Sequence, residues 1–421
     1  MHPLFAVVPE IIKNYFLLFL DPVFISLMLL VVVLVALQYR RLESVRAAMF
    51  GVIASGVWRD TLAATLFGLA GGLVGSILMI LVGLPLTSSG SAFFLLLLIS
   101  ALLMLINPRF LCFSYAGGII SILNILTGLP DINIYQILGL VALLHMVESI
   151  LIFFSGHLGA VPAFFSDGKT GRVTGGFTLQ KFWPIPLVAL TVIGYPATQD
   201  VLWEMPGWWP LIKPGGGYES HLFSYALVSV VAGLGYGDLA IVRSPREKSR
   251  ISAFYLAMYS IALFSLSVSA QYIPALAPAA ALFSPLGHEL VIYLGKRIEF
   301  TGKPLYSPSP RGIRVIDVLK GYTAWRMGIR PGDIILSVNG IPVRDSIGLK
   351  FVLGGCPCPG PLEIEYLKGP EEVFRRGIYY RLDKNRPLGL LTVDAEGGRV
   401  SVRSGGLPWR RLLSWWNKIK R

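Results

Sequence analysis

The sequence predicts an α-helical polytopic membrane bundle of about eight to nine spans followed by a small α+β domain. Two observations carry that prediction. Before residue 300 the apolar residues gather in long blocks that mostly lack an interior charge, whereas beyond it charges mix with turn glycines and short apolar runs. Of the 421 residues 54% are hydrophobic and only 14% charged, against about 25% charged in ordinary globular proteins. A chain with two such regimes is a membrane part joined to an aqueous part.

A helix that crosses the hydrocarbon needs roughly 20 mostly apolar residues, because its amides must be satisfied without water. Residues 1–21 come first. Their apolar stretch, 4–20, carries Glu10 and Lys13 and ends at Asp21-Pro22, which suits an interfacial helix lying on the bilayer. The transmembrane domain, residues 22–297, is expected to hold spans at 22–39, 61–84, 92–106, 110–127, 134–155, 183–198, 221–242 and 252–273. A ninth segment, 278–294, contains His288 and Glu289; it spans, dips in and returns, or lies at the surface. Gly68, Gly71, Gly72 and Gly75 give the second span a small-residue face for close backbone approach.

Loop charge orients the bundle. Arg40, Arg41, Arg46 and Arg59, then Arg109, then Lys169, Arg172 and Lys181, then Arg243, Arg246, Lys248 and Arg250 occupy alternate loops. The intervening loops 85–91 and 128–133 have no cation, and 196–220 has only Lys213. The basic loops are therefore expected in the cytoplasm. A true ninth crossing would return the chain there before Lys296-Arg297 and place the C-terminal domain inside. The net charge of +13 clusters beside apolar segments, which favours anionic lipid over nucleic acid as its partner.

Enzymatic signatures are incomplete. No G-x-x-x-x-G-K occurs, and Gly233, Gly235 and Gly237 fall in an apolar segment. An H-E-x-x-H zinc motif is approached at His288-Glu289, but Ile292 stands where the second histidine is needed. His145 and Glu148, three apart on one helix face, read as an internal hydrogen-bonded pair, with metal ligation the alternative. His145, Glu148, His288 and Glu289 together make a possible intramembrane polar site, since ionisable groups there are costly to keep. Three cysteines, Cys112, Cys356 and Cys358, give no disulfide framework, and Cys356-Pro357-Cys358 reads as a loop. The expectation is no catalytic residue, no metal and no cofactor.

From Gly312 the pattern turns to short strands and tight turns. Residues 312–318 alternate as a half-buried strand should, 323–329 form a short helix ended by Gly328, and 334–338 form the next strand. Asn339-Gly340 then favours a hairpin. Residues 343–353 read as a second helix with Ile347, Val352 and Leu353 as apolar anchors and Lys350 outward. The run from Ala324 through Gly328 and Gly332-Asp333-Ile334-Ile335 to Val338-Asn339-Gly340 resembles the core signature of bacterial PDZ domains, over residues 310–394. That resemblance implies binding of an extended peptide or a partner's C-terminus as an added strand. Pro387-Leu388-Gly389-Leu390-Leu391 is similar to the family's carboxylate-binding loop, here at the end of the domain as in a permuted arrangement; the alternative is a plain closing strand. Leu388, Gly389, Leu390, Ile347 and Phe351 are the candidate peptide contacts.

The tail, 403–421, is cationic and aromatic. On a helix Trp409, Leu412, Leu413, Trp416 and Ile419 would share a face, as in an interfacial anchor. Trp409, Arg410, Arg411, Trp415 and Trp416 are its candidate membrane contacts, and packing on the PDZ domain is the alternative.

The layout resembles the MinJ family of membrane-bound cell-division determinants of Gram-positive bacteria. The likeness rests on the opening stretch Glu10-Ile11-Ile12-Lys13 to Phe19-Leu20-Asp21-Pro22, the multi-span body, Phe283-Ser284-Pro285-Leu286-Gly287-His288-Glu289-Leu290 and the single terminal PDZ domain. It implies a non-enzymatic membrane adaptor that links a DivIVA-like polar scaffold to a MinD-like ATPase. The competing expectation is an intramembrane metalloprotease of the site-2 type, or a degenerate regulator of one.

Overall fold

The computed structural model describes residues 3–52, 56–86, 91–166, 173–194, 205–214, 224–383 and 387–393. The membrane part runs α1 (Pro3–Leu17), α2 (Pro22–Phe50), α3 (Val57–Val82), β1 (Pro85–Leu86), α4 (Ser91–Ile106), α5 (Phe113–Thr127), α6 (Ile134–Ser155), β2 (Val161–Ser166), β3 (Val173–Gly194), β4 (Ser224–Ala240), α7 (Pro245–Tyr272) and α8 (Ala277–Thr301). Asp21 caps α2 through the Val23 amide, and Ser244 with Glu247 forms a capping box on α7. Helix α1 docks rather than floats: Ile11 and Tyr15 are buried and the Tyr15 hydroxyl donates to the Leu69 carbonyl of α3 at 2.6 Å.

Among the described residues five helices are long and apolar enough to cross a membrane: α2, α3, α6, α7 and the Pro274–Thr301 segment that contains α8. The expected eight or nine spans are therefore too many. Of the segments expected at 183–198 and 221–242, residues 183–194 and 224–240 are strand, in β3 and β4, which pair antiparallel from Phe177↔Ala240 to Gly194↔Ser224. The physical reason is visible in the residues. Pro184 and Pro186 forbid a helix interior, and Ala232, Leu234, Tyr236 are buried while Gly233, Gly235, Gly237 between them are exposed, a period of two. Helices α4 and α5 are also short, at 16 and 15 residues, below the roughly 20 that a crossing needs. The uncertain ninth segment, by contrast, lies within the continuous helix α8.

The hairpin lies along α3, with β1 beside β3 at one end and β2 beside it at the other. Between those two partners the edge of β3 is open, and from Phe182 to Val188 its groups are accounted for. The Phe182 amide donates to the Tyr39 hydroxyl at 3.5 Å, Pro184 and Pro186 have no N–H, and the Val188 amide donates to Ser76 Oγ at 2.8 Å. On the same edge the Pro184 and Pro186 carbonyls press on α3. A Cβ placed at Gly68 or Gly72 would sit 2.1 or 2.0 Å from them. The glycine face of α3 thus serves a strand edge, with only Gly71 and Gly75 meeting α6 through Leu151 and Val147.

Both ends of the assembly are tied by polar contacts. At the basic end Arg46 donates to the Gly159 and Ala160 carbonyls, at 2.8 and 3.2 Å, and Glu299 accepts from the Ile241 and Val242 amides, both at 2.8 Å. Lys248, buried to 1% exposure, pairs with Asp238 at 3.3 Å. At the opposite end Leu211 donates to Val82, Asn133 to Lys213, and Gln271 to Leu211. Among the described residues, Arg46, Arg243 and Lys248 thus share one end with the base of the hairpin, and Lys213 lies at the other.

The C-terminal domain comprises β5 (Ile313–Val318), α9 (Thr323–Arg326), β6 (Ile334–Val338), β7 (Ile341–Pro342), α10 (Ser346–Gly355), β8 (Gly360–Lys368), β9 (Val373–Arg381) and β10 (Leu390–Val393). Its strands run in the order β10-β5-β6-β8-β9, with β7 beside β6. Asn339 and Gly340 turn the β6–β7 hairpin with φ of 47° and 76°. The core gathers Ile313, Val315, Ile335, Val338, Leu349 and Ile364. Leu349 is the buried anchor of α10, while Ile347, assigned to that role from the sequence, is 76% exposed. The domain is seated on the membrane part: Gly175 donates to the Tyr306 carbonyl at 2.9 Å, and Tyr306, Ile316 and Val393 join the core of the helical bundle.

Candidate functional site

Two sites emerge. The first lies between β10 and α10. β10 pairs with β5 on one side, Leu390↔Val318 to Val393↔Arg314, and is the edge strand of its sheet. The chain enters it through Leu388 and Gly389, whose carbonyls accept from Ala324 at 3.0 Å and Leu319 at 2.7 Å. Gly389 has φ +71°, and a Cβ there would lie 2.4 Å from Tyr322, so the turn needs glycine on both counts. Leu388 is buried beneath the turn and Leu390 is half-buried. Across from β10, Ser346 Oγ of α10 approaches Thr392 Oγ1 to 3.3 Å. One turn apart on α10, Ile347 and Phe351 stand 76% and 82% exposed. The start of α10 thus touches β10, and the turn at Leu388 and Gly389 leads into that strand.

The second site lies inside the helical bundle. His145 sits midway along α6, and His288 and Glu289 sit on α8. Between them comes Cys112, the residue that starts α5 after the short turn Pro108–Leu111. Cys112 Sγ is 3.0 Å from His145 Nε2 and 3.7 Å from His288 Nε2. The two imidazoles cross at 5.2 Å between centroids, with Tyr259 edge-on to both and Tyr115 edge-on to His288. Close helix contact makes this possible. A Cβ at Gly118 would meet Pro285 Cδ at 2.4 Å, and Ser284 Oγ donates to the Ser114 carbonyl at 2.8 Å.

Beside the cluster, Arg109 forms an ion pair with Glu289, whose other oxygen accepts from the Tyr115 hydroxyl at 2.5 Å. Arg109 was expected in a cytoplasmic loop; it lies instead in the turn that meets the middle of α6, because its charge is neutralised there by a carboxylate. His145 hydrogen-bonds to the Val141 carbonyl at 2.7 Å and to Cys112, rather than to Glu148 as the sequence suggested. Glu148 lies one turn further along α6. Sequence reasoning found three members of this group, His145, His288 and Glu289, and missed Cys112. No spacing signal joins residue 112 to 145 and 288; only the short α4–α5 turn brings it in.

Trp409, Arg410, Arg411, Trp415 and Trp416 lie outside the described residues.

Comparison with known proteins bears on both parts. Residues 314–355 match the PDZ domain family. The chain is 26% identical over 234 residues to the cell division topological determinant MinJ of Bacillus subtilis (strain 168), across 52% of this chain and 58% of that protein. It is 36% identical over 66 residues to HhoA of Synechocystis sp., named as a serine protease, across 16% of this chain and 17% of that one. Each match spans less than two thirds of the relative's length. No solved structure matches the chain. The chain is a multi-pass membrane protein with a C-terminal PDZ domain, similar over about half its length to a cell-division topological determinant of the MinJ type.

Proposed function

We propose that the protein is a membrane adaptor that recruits partners through its PDZ domain and positions the cell-division machinery. The observation that supports this most directly is the edge strand β10 with exposed Ile347 and Phe351 opposite it. An extended peptide can add to such an edge by main-chain hydrogen bonds, with its side chains on the apolar pair. Among the described residues the Leu388 and Gly389 amides have no hydrogen bond, which suits capture of a terminal carboxylate. Similarity to MinJ supports division as the setting. A stretch of 66 residues has the length of a PDZ domain and is too short to bring a protease domain with it.

The finer reading places the PDZ domain in the cytoplasm, with a DivIVA-like polar scaffold and a MinD-like ATPase as partners and anionic lipid beneath the basic loops and tail. Support for the sidedness comes from Arg46, Lys248 and Arg243 gathering at the end of the bundle where the PDZ domain sits.

Imaging of a fluorescent fusion in dividing cells tests the proposal, comparing the full chain with a Phe351→Asp, Ile347→Asp double variant. Septal or polar enrichment that is lost in the variant is the expected result. A uniform membrane signal for the unaltered chain would sink the adaptor reading.

A further inference from the structure

The cluster at the centre of the bundle has the composition and geometry of a metal site. Cys112 Sγ and one ring nitrogen from each of His145 and His288 all lie within 4.8 Å of one another. Bond lengths of about 2.3 Å to sulfur and 2.0–2.1 Å to nitrogen place tetrahedral zinc ligands about 3.5 Å apart. The two printed separations, 3.0 and 3.7 Å, straddle that value. Three donors, from the start of α5, from α6 and from α8, therefore converge to within reach of one ion.

The surroundings agree. The Val141 carbonyl holds His145 by Nδ1, at 2.7 Å, so that ring carries its proton on Nδ1 and turns a lone pair on Nε2 toward Cys112. Backbone carbonyls fix metal-binding histidines in this way. His288 turns Nε2 toward the cysteine, at 3.7 Å; its Nδ1 is buried and, among the described residues, makes no hydrogen bond, so only His145 has the backbone support usual for a ligand. Two imidazoles and a thiolate, with no carbonyl or carboxylate among the three, select zinc-class ions over magnesium or calcium.

We propose that Cys112, His145 and His288 bind one zinc-class divalent cation and that this ion clamps the start of α5 to α6 and α8. On binding, the Cys112 thiol gives up its proton to solvent and three metal–ligand bonds form, with a water in the fourth position. The three ligands leave one net positive charge, and α6 carries a carboxyl group, Glu148, one turn from His145. The ion is additional to the adaptor function and does not depend on it.

The test is metal analysis of the full-length protein in detergent, followed by chelation and titration with cobalt(II). The expected result is about one zinc per chain and, with cobalt, tetrahedral d–d bands together with a thiolate-to-cobalt charge-transfer band. Cys112→Ser and His288→Ala should each lose the metal by at least tenfold in affinity. Cys112→Asp, which keeps an anionic ligand, should retain zinc and lose the charge-transfer band, separating ligation from folding. A Cys356→Ser, Cys358→Ser double variant should behave as the parent. Metal-free protein that gives no cobalt spectrum would overturn the proposal, as would zinc content unchanged by the Cys112 and His288 substitutions. Either result would leave the localisation experiment untouched.

Discussion

At the scale of single residues, polar groups do most to fix the chain. Ser76 Oγ donates to Gly72 and accepts from the Val188 amide, at 2.7 and 2.8 Å, in a wholly buried position. Ser76→Ala should destabilise the bundle by about 1–3 kcal/mol by orphaning that amide, seen as a lower thermal midpoint in detergent. A midpoint equal to the parent's would show that water satisfies the amide. In the PDZ domain, burial pushes the Asp317 carboxyl up, against the opposing pull of the Val318 amide and Arg46. Folding therefore favours the protonated acid. That contribution is fully present below the unfolded carboxylate pKa of about 3.9 and fades as pH rises through the raised folded value. Asp317→Asn keeps an acceptor for Val318 and should raise the thermal midpoint at about pH 7 while changing little at about pH 4; equal shifts at both would refute the burial argument. Residue-level chemistry was only partly legible in the sequence. His145, His288 and Glu289 declare themselves as ionisable groups in apolar runs. Cys112 looks like any small apolar residue, and its importance comes from a fold-level coincidence.

At the scale of elements, the hairpin was the chief misreading. A run such as 183–194 has the hydropathy of a span, and average hydropathy is blind to whether the residues repeat every two or every 3.6 positions. The period was present in the glycines of β4 and the prolines of β3. Helix α3 carries the glycine face that the sequence shows, and the backbone that approaches it at Gly68 and Gly72 is a strand. Because the Pro184 and Pro186 carbonyls fill the space of the missing side chains, Gly68→Ala or Gly72→Ala should cost about 1–3 kcal/mol, as overpacking does. Gly237→Ala, with open space around it, should be close to neutral, and comparison of thermal midpoints checks the contrast. In α10 the sequence named the helix but turned it, burying Ile347 in place of Leu349. A residue three or four places from its neighbours on one stripe is easily moved to the next, and only the packing against Val343 and Ile364 decides. The error had a useful outcome, since an exposed Ile347 is free to meet a ligand. Phe351→Asp should weaken peptide binding by tenfold or more and leave the midpoint unchanged, measured by titration of the full chain with a C-terminal peptide of an identified partner.

At the scale of the whole molecule, two regimes of composition gave the division into membrane and aqueous parts. What composition did not convey is how the two parts join. The PDZ domain rests on the end of the hairpin, through Gly175 and Tyr306 and through Ile316, which a Cβ at Gly175 would approach to 2.6 Å. That seat has a geometric consequence. Along the open edge of β3 only one placement puts prolines where no partner exists and puts the Val188 amide on Ser76. Sliding by two residues would set Pro186 against the Ser76 hydroxyl and leave it no amide to accept from. The hairpin is thus a ruler with a single mark. Its far end is registered against the helices, its near end carries the PDZ domain, and the height of the peptide groove above the bundle is set by counting residues rather than by the slack of a linker.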